Sequence, residues 1–396
     1  MKVLVVSQHY YPENFRITDI CETLVKMGHD ITVICGYPNY PEGYIYSDYR
    51  GKNKKKHKDE VINGVSIHRC FEIARGHSSF KLFLNYYSVC LSMKRKAKRL
   101  KEQFDCVFVN QTSPVMVGWA GIAYARKHHV PCYLYCYDLW PASLAAGGIK
   151  KKSIVYKIFN RVSRKVYQRA NRVLVTSKSF IEYLVDNHGL DKSKIFYMPQ
   201  YCESLYEDIK SKEHKGINYV FTGNVGRMQS VETIIRAADL VKNRGDIKIH
   251  IVGDGSDLNR CKELADSLQT NNIVFYGRRQ IEDMPGFYSL ADAMIITLSK
   301  DELISKTLPG KVQSYMAAGK PIVGAVDGEA NEIIKESGCG YVCDSEDYES
   351  LALLFLNFDK KQAKIFSKAS KDFYLKHFAK NTFFKKLNEV FMGEDL

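Results

Sequence analysis

Short apolar runs alternate with amphipathic stretches along most of the chain. Residues 3–6 read as a buried strand. Ile17, Ile20, Cys21 and Leu24 then recur at helical spacing, and Gly28 stands where a helix stop belongs. Residues 31–35 form the next predicted strand, followed by strands at 106–110, 132–136 and 172–176 with helical periodicity between them. The pattern begins again at 219–222. Val231, Ile234, Ile235 and Ala238 predict a helix with Ser230 as its N-cap, and strands follow at 248–252, 273–276, 293–298 and 322–325. Strands that alternate with helices predict an α/β fold with parallel sheets covered on both faces. Two such sets predict two doubly wound, Rossmann-like domains that face across a cleft, with a ligand held at the carboxyl ends of the strands. The polar, aperiodic stretch 200–216 marks the boundary.

Length and composition agree with that division. The chain has 396 residues, enough for two cores, with 45% apolar and 26% charged side chains. Its eleven cysteines include no C-x-x-C pair and no accompanying histidine pair, so they read as buried thiols in a reducing compartment. Residues 1–6 are too short an apolar run for a signal-peptide core, and no window reaches membrane-spanning length. Charge is more informative. Residues 1–200 carry 32 Lys+Arg against 15 Asp+Glu, whereas the remainder carries 26 against 29. The basic excess belongs to the first half and points to an anionic partner there.

Candidate chemistry clusters at predicted strand ends. Gly223-Asn224-Val225-Gly226-Arg227-Met228-Gln229 follows one strand and precedes a helix. It fits a phosphate cradle in which Arg227 adds a fork of donors, and it fits a tight turn with a surface arginine equally well. In TLPGKVQSYMAAGKP (residues 307–321), Lys311 falls in the first turn of a short helix, where a cation opposes the helix dipole; a bound diphosphate reverses that penalty. Gln313 and Ser314 sit on the same turn. Glu329 lies beyond the strand 322–325, placed either for sugar or ribose hydroxyls or as a helix N-terminal acid; for Glu332 the helix role is favoured. In the first half, Tyr11, Glu13 and Arg16 fill the first strand–helix loop and suggest an acceptor side. Asp138 follows another strand and is placed to act on a sugar hydroxyl, while Trp140 reads either as core or as a platform for a sugar face. No D-x-D triplet, Walker A or G-x-S-x-G motif occurs, so no metal or other cofactor is expected.

Basic runs complete the picture. KNKKKHKDE (52–60) reads as a solvated loop. Phe80, Phe83, Leu84, Tyr87 and Leu91 predict one buried helical stripe ahead of Lys94–Arg99, and Ile154, Val155, Ile158, Val162 and Val166 another among many lysines and arginines. The stripes read as core, with the cations free to face an anionic membrane surface. No nucleic-acid motif appears.

Together these segments resemble the retaining glycosyltransferases of family 4, with the GT-B fold, and within them the WbuB-like branch. QHYYPENFRITDI, YDLWPASL, FTGNVGRMQSVETII, IVGDGSD, FYGRRQIEDMPGFYSLADAMIITL and LPGKVQSYMAAGKPIVGAVDGEANEII carry the likeness in order along nearly the whole chain. The resemblance implies an acceptor-binding domain at 1–200, a donor-binding domain at 201–372, and a terminal segment 373–396 that returns to the first domain. It implies sugar transfer from a nucleotide donor, UDP-sugars preferred and UDP-N-acetyl-L-fucosamine among them, without a metal. The acceptor would be polyprenyl-diphosphate-linked or a saccharide, in bacterial surface polysaccharide synthesis, at the cytoplasmic face of the membrane. The donor would be held by Gly223, Asn224, Gly226, Arg227, Gln229, Lys311, Gln313, Ser314 and Glu329, with Asp138, Arg227 and Lys311 in catalytic roles. The family's two glutamates, eight positions apart, are missing: Lys306 and Ser314 stand there, which leaves Glu302 or Glu329 as replacements. Ala142 replaces a glutamate of the DLWP motif. Two other readings remain: a nucleotide-sugar 2-epimerase on the same fold, or a non-catalytic membrane-associated subunit.

Overall fold

The computed structural model describes residues 1–146 and 148–394. The chain divides into two compact units, one of Met1–Thr176, Phe180–Met198 and Phe391–Leu396, the other of Ser177–Ser179 and Pro199–Val390.

Unit 1 is built on an eight-stranded sheet: β1 (Lys2–Ser7), β2 (Asp30–Cys35), β3 (Asp59–Ile62), β4 (Val65–Arg69), β5 (Cys106–Gln111), β6 (Cys132–Cys136), β7 (Arg172–Val175) and β8 (Ile195–Tyr197). The strands lie in the order β3-β4-β2-β1-β5-β6-β7-β8, all parallel except the β3–β4 pair. β1 sits between β2 and β5, with Val3 opposite both Ile31 and Cys106. Its residues 3–7 are buried, which explains why the strand reads as a continuous apolar run.

Unit 2 carries six parallel strands: β9 (Ile217–Thr222), β10 (Ile247–Val252), β11 (Ile273–Gly277), β12 (Ala293–Thr297), β13 (Ile322–Ala325) and β14 (Gly340–Cys343). Their order, β11-β10-β9-β12-β13-β14, reverses direction between β9 and β12. Such a reversal opens a crevice at the carboxyl ends of the strands. Leu351, Ala352 and Phe355 cover one face of the sheet, and Tyr315, Met316 and Tyr374 the other.

The structure corrects several sequence expectations. β3, β4, β8 and β14 were not predicted. β3 is an edge strand in the charged stretch expected to be a loop; it alternates exposed and half-buried residues and has little apolar signal. The two helical stripes expected in the core face outward over their first turns, while Val166 at the end of the second is buried as expected. Phe80, Phe83 and Tyr87 are exposed on helix Ser79–Arg99, whose buried face is instead Asn85, Val89, Cys90, Met93 and Ala97. Ile154, Val155 and Ile158 are exposed on helix Ile154–Arg169. Ser230 precedes helix Val231–Leu240 in a left-handed conformation (φ 44°), and its hydroxyl bonds Thr233 Oγ1 at 2.9 Å rather than capping a backbone N–H. The cysteines are free thiols, ten of them buried. Among the described residues no helix is long and apolar enough to cross a membrane.

Gly340 illustrates how tightly the second sheet is closed. A Cβ at this position in β14 would collide with the Ile322 carbonyl of β13. Gly340→Ala should therefore cost about 1–3 kcal/mol, as overpacking typically does, read as an earlier denaturant midpoint for unit 2 unfolding with little change for unit 1.

Candidate active site

The loops that follow β9, β10 and β11 line a cavity of about 620 Å³ in unit 2. Gly223 and Asn224 come from the first loop, Gly253, Asp254 and Gly255 from the second, and Arg278 and Arg279 from the third. Glycines are required where the first two loops meet. Gly253 has φ +147°, and a side chain there would run into the Gly223 carbonyl. The Gly223 and Val225 N–H groups donate to the carbonyls of Val252 and Asp254, both at 2.9 Å. Those two amides are consumed by the fold, so the expected cradle of residues 223–226 is reduced to the N–H groups of Asn224 and Gly226. The Asn224 side chain donates to Gln229 Oε1 at 2.9 Å and braces the loop. Arg227–Gln229 form a single 3₁₀ turn, so the loop does not lead directly into a helix. Arg227 is exposed beside this turn.

Lys311 reaches the same loop from the first turn of helix Gly310–Ala317. A Cβ at Gly223 (φ +124°) would lie 2.6 Å from Lys311 Cε. The absence of a side chain at 223 thus lets the lysine stem pass. Its Nζ rests 3.8 Å from the centre of the Phe221 ring. No carboxylate neutralises it among the described residues, and burial lowers its pKa to about 7. The result is a cation held in low dielectric against Gly223 of the cavity lining, with the Phe221 ring face as its partner among the described residues.

Other expected donor residues are committed elsewhere. Gln313 is buried, and in its hydrogen-bonded orientation its amide donates to the carbonyls of Pro309 (2.9 Å) and Gly310 (3.2 Å), fixing the turn that launches Lys311. Ser314 bonds the Lys311 carbonyl (3.0 Å) and the Tyr288 hydroxyl (3.0 Å). Tyr288 and Tyr315 in turn meet Thr222 at the end of β9. Ser314 therefore belongs to a buried hydroxyl network beneath the loop and is not free for a ribose. Glu329 is 1% exposed. Its carboxylate accepts from Ser177 Oγ (2.5 Å), Lys178 N–H (2.6 Å) and Ser179 N–H (2.7 Å), which holds Ser177–Ser179 in unit 2. Glu302 is exposed and paired with Lys306 at 3.2 Å. Both glutamates are thus engaged by protein partners in this structure.

In unit 1, Glu13 is buried at the end of β1. It bonds His9 at 2.9 Å and accepts the N–H groups of Asn39 (2.8 Å) and Tyr40 (2.7 Å). Tyr11 is exposed in the same loop, and its carbonyl accepts from Arg69 at 2.6 Å. Arg16 opens helix Arg16–Lys26. Asp138 accepts from Ser113 Oγ at 2.9 Å, and burial raises its carboxyl pKa. Trp140 is 2% exposed, packs edge-on against Tyr86 and Phe159, and gives its indole N–H to the same Ser113 oxygen. It is core, not a sugar platform.

Sequence reading overlooked Arg278 and Arg279. Their signal was positional: a basic pair directly after the strand β11, at the same sheet edge as the glycine loops. It also overlooked Glu72, a buried carboxyl raised well above its usual range by burial and by neighbouring Glu13, with Asn85 donating to it at 2.9 Å. Among the described residues no three His, Cys, Asp or Glu side chains converge as a metal site.

Comparison with known proteins follows the same two units. Residues 15–200 match the family model Glycosyltransferase Family 4, and residues 205–372 match Glycosyl transferases group 1. The probable glycosyltransferase WbjE of Pseudomonas aeruginosa is 28% identical over 233 residues, which span 56% of this chain and only 58% of that protein. The putative colanic acid biosynthesis glycosyl transferase WcaI of Escherichia coli K12 is 22% identical over 81% of this chain and 82% of its own. Among solved structures, HepE of Anabaena in complex with UDP has a TM-score of 0.72 at 14% identity, covering 99% of this chain and 100% of that one. With two parallel sheets of this order and two family models in succession, the chain belongs to glycosyltransferase family 4, a retaining family with the GT-B fold.

Proposed function

We propose that the chain transfers a sugar from a nucleotide-sugar donor, UDP-sugars preferred, to a lipid-linked or saccharide acceptor in bacterial surface polysaccharide synthesis, at an anionic membrane surface. The donor is assigned to unit 2, and the acceptor to unit 1 around Tyr11, Glu13, Arg16 and Asp138. The observation that carries the reading is Lys311, a desolvated cation without a counter-charge among the described residues, packed against Gly223 of a cavity that also presents Arg278 and Arg279. A diphosphate supplies the charge this arrangement lacks. The UDP bound by HepE and the colanic acid pathway of WcaI support the choice of donor and product class.

In this mechanism the sugar–phosphate bond lengthens, and negative charge collects on the departing diphosphate. Lys311 and the Asn224 and Gly226 N–H groups receive it, with the arginines beside them. Fixed donors in a low-dielectric site need no reorganisation as the charge develops. With retention the acceptor hydroxyl attacks from the face the diphosphate leaves, and the diphosphate oxygen takes the hydroxyl proton. No strong protein base is needed.

Lys311→Ala should lower kcat/KM for the donor by about 10²–10³-fold, the usual loss of one such donor; full activity would remove Lys311 from the site. The lowered pKa also gives a pH signature. Unliganded Lys311 is half neutral near pH 7, whereas a bound diphosphate favours the charged amine. Donor binding above that pH then takes up a proton, so the donor KM should rise with pH, by up to about tenfold per unit. Lys311→Arg, charged throughout, should flatten that rise. Glu329→Gln separates a structural carboxylate from a ribose ligand. Its new NH₂ would face a backbone donor, so stability should fall by about 1.5–3 kcal/mol with donor KM unchanged; a raised KM at unchanged stability would restore the ribose role. Incubation with donor alone checks the reaction class, since an epimerised sugar formed without acceptor would overturn transfer.

A further inference from the structure

Helices Ser79–Arg99, Gly118–His128 and Ile154–Arg169 of unit 1 together hold 13 Lys and Arg and not one Asp or Glu. Between them lies a groove of about 440 Å³, separate from the donor cavity. Trp119 forms part of its floor, and Lys94, Lys98, Arg126, Lys165 and Arg169 surround it. None of these five cations has a carboxylate partner among the described residues. An ordinary solvated helix face mixes signs; this one excludes anions over three consecutive elements.

Two stripes lead out of the groove. On helix Ser79–Arg99, Phe80, Phe83 and Tyr87 fall in line with Lys94 and Lys98 at heptad-like spacing. On helix Ile154–Arg169, Ile154, Val155 and Ile158 fall in line with Lys165 and Arg169. Contacts join the parts: Phe83 stacks on Tyr87 with centroids 6.0 Å apart, Tyr87 meets Trp119 edge-on at 6.2 Å, and Lys94 Nζ lies 5.6 Å from the Trp119 ring. Phe80 is 70% exposed and Ile154 77%. Each stripe is therefore apolar in its first half and cationic in its second, and each stands in solvent.

We propose that this face docks on an anionic phospholipid bilayer, with a lipid phosphodiester head group in the Trp119 groove and the exposed apolar side chains in the interfacial layer. The proposal deepens the membrane reading above by naming its site and its ligand. Charge complementarity selects the occupant. A neutral protein partner has no use for the five unpaired cations around the groove, and a polyanion such as nucleic acid has none for the apolar stripes. Bulk lipid is favoured over the acceptor's own diphosphate because the exposed apolar side chains of both stripes need an interfacial layer to enter.

The chain has two tryptophans, and Trp140 is buried, so emission reports on Trp119. The full-length protein is mixed with vesicles of phosphatidylcholine, with and without phosphatidylglycerol. Binding and a blue shift are expected only with the anionic vesicles, and Trp119→Phe should abolish the shift. The triple variant Lys94→Gln, Lys165→Gln, Arg169→Gln should weaken partitioning by about a hundredfold, roughly fivefold per cation. The matching variant with Lys94→Arg and Lys165→Arg should bind normally. Phe83→Ser with Ile158→Ser should weaken binding further without altering its salt dependence. All variants should keep the thermal shift produced by UDP, so a failure here is distinct from a failure of the donor assignment. Equal binding to neutral vesicles, unaltered binding by the triple variant, or an equal blue shift with glycerol phosphate or an oligonucleotide in place of vesicles would each overturn the proposal.

Discussion

A lysine side chain crosses the carboxyl edge of the second sheet where position 223 has no side chain. Much of unit 2's geometry answers to that passage. Gly223 takes a positive φ and turns the chain away from β9. Gly253 and Gly255 let the next loop close against it, and Gln313 pins the turn from which Lys311 departs. Phe221 offers its ring face to the amine in place of a counter-ion. Desolvating a cation without pairing it is unfavourable, and proteins avoid it outside sites that use the charge. The unpaired amine is therefore the strongest physical argument that something anionic belongs in this cavity.

The polar groups around it divide into those that support and those that remain available. Thr222, Tyr288, Ser314 and Tyr315 bond one another beneath the loop and leave no buried hydroxyl of that set unpartnered. A glutamate at position 314, beside Tyr288, would bring a carboxylate into that layer; the serine fits it with a hydroxyl. Glu329 spends its carboxylate on three donors of Ser177–Ser179. What stays free toward the cavity is the Arg278 and Arg279 pair and the Asn224 and Gly226 N–H groups, with the exposed carboxylate of Asp254 beside them.

Much of the fold was legible because buried parallel strands leave continuous apolar runs, as in β1, β5, β6, β9 and β12. The edge strands β3 and β14 were not, since their residues are only half-buried and carry no such run. Lys311 was legible from a single fact, a cation in the first turn of a helix, where the dipole disfavours it. For Ser314, Gln313 and Trp140 the sequence left the direction of the side chain open, for a shared reason. Sequence gives the residue and its element, but whether a polar group points into a cavity or into the core depends on partners remote in sequence, here Tyr288 and Ser113. The two outward stripes were misread because helical periodicity identifies a face without saying what covers it. Helix Ser79–Arg99 has a second face, through Asn85, Val89, Met93 and Ala97, that reaches the core instead.

The two cationic sites solve the problem of binding an anion in opposite ways. At Lys311 one charge is buried, so its interaction is strong, weakly screened and dependent on its own protonation. Around Trp119 many charges are exposed, and each interaction is weak. Salt within a Debye length of about 8–10 Å suppresses the second kind and leaves the first largely intact. Raising pH above neutrality removes the charge of the first. Under the proposed assignments the enzyme could leave a surface without losing its grip on a soluble donor, because the two affinities would answer to different variables. That separation follows from burial alone: the same kind of ammonium group, moved from solvent to the edge of a phenylalanine ring, changes from a salt-sensitive contact into a proton-sensitive one.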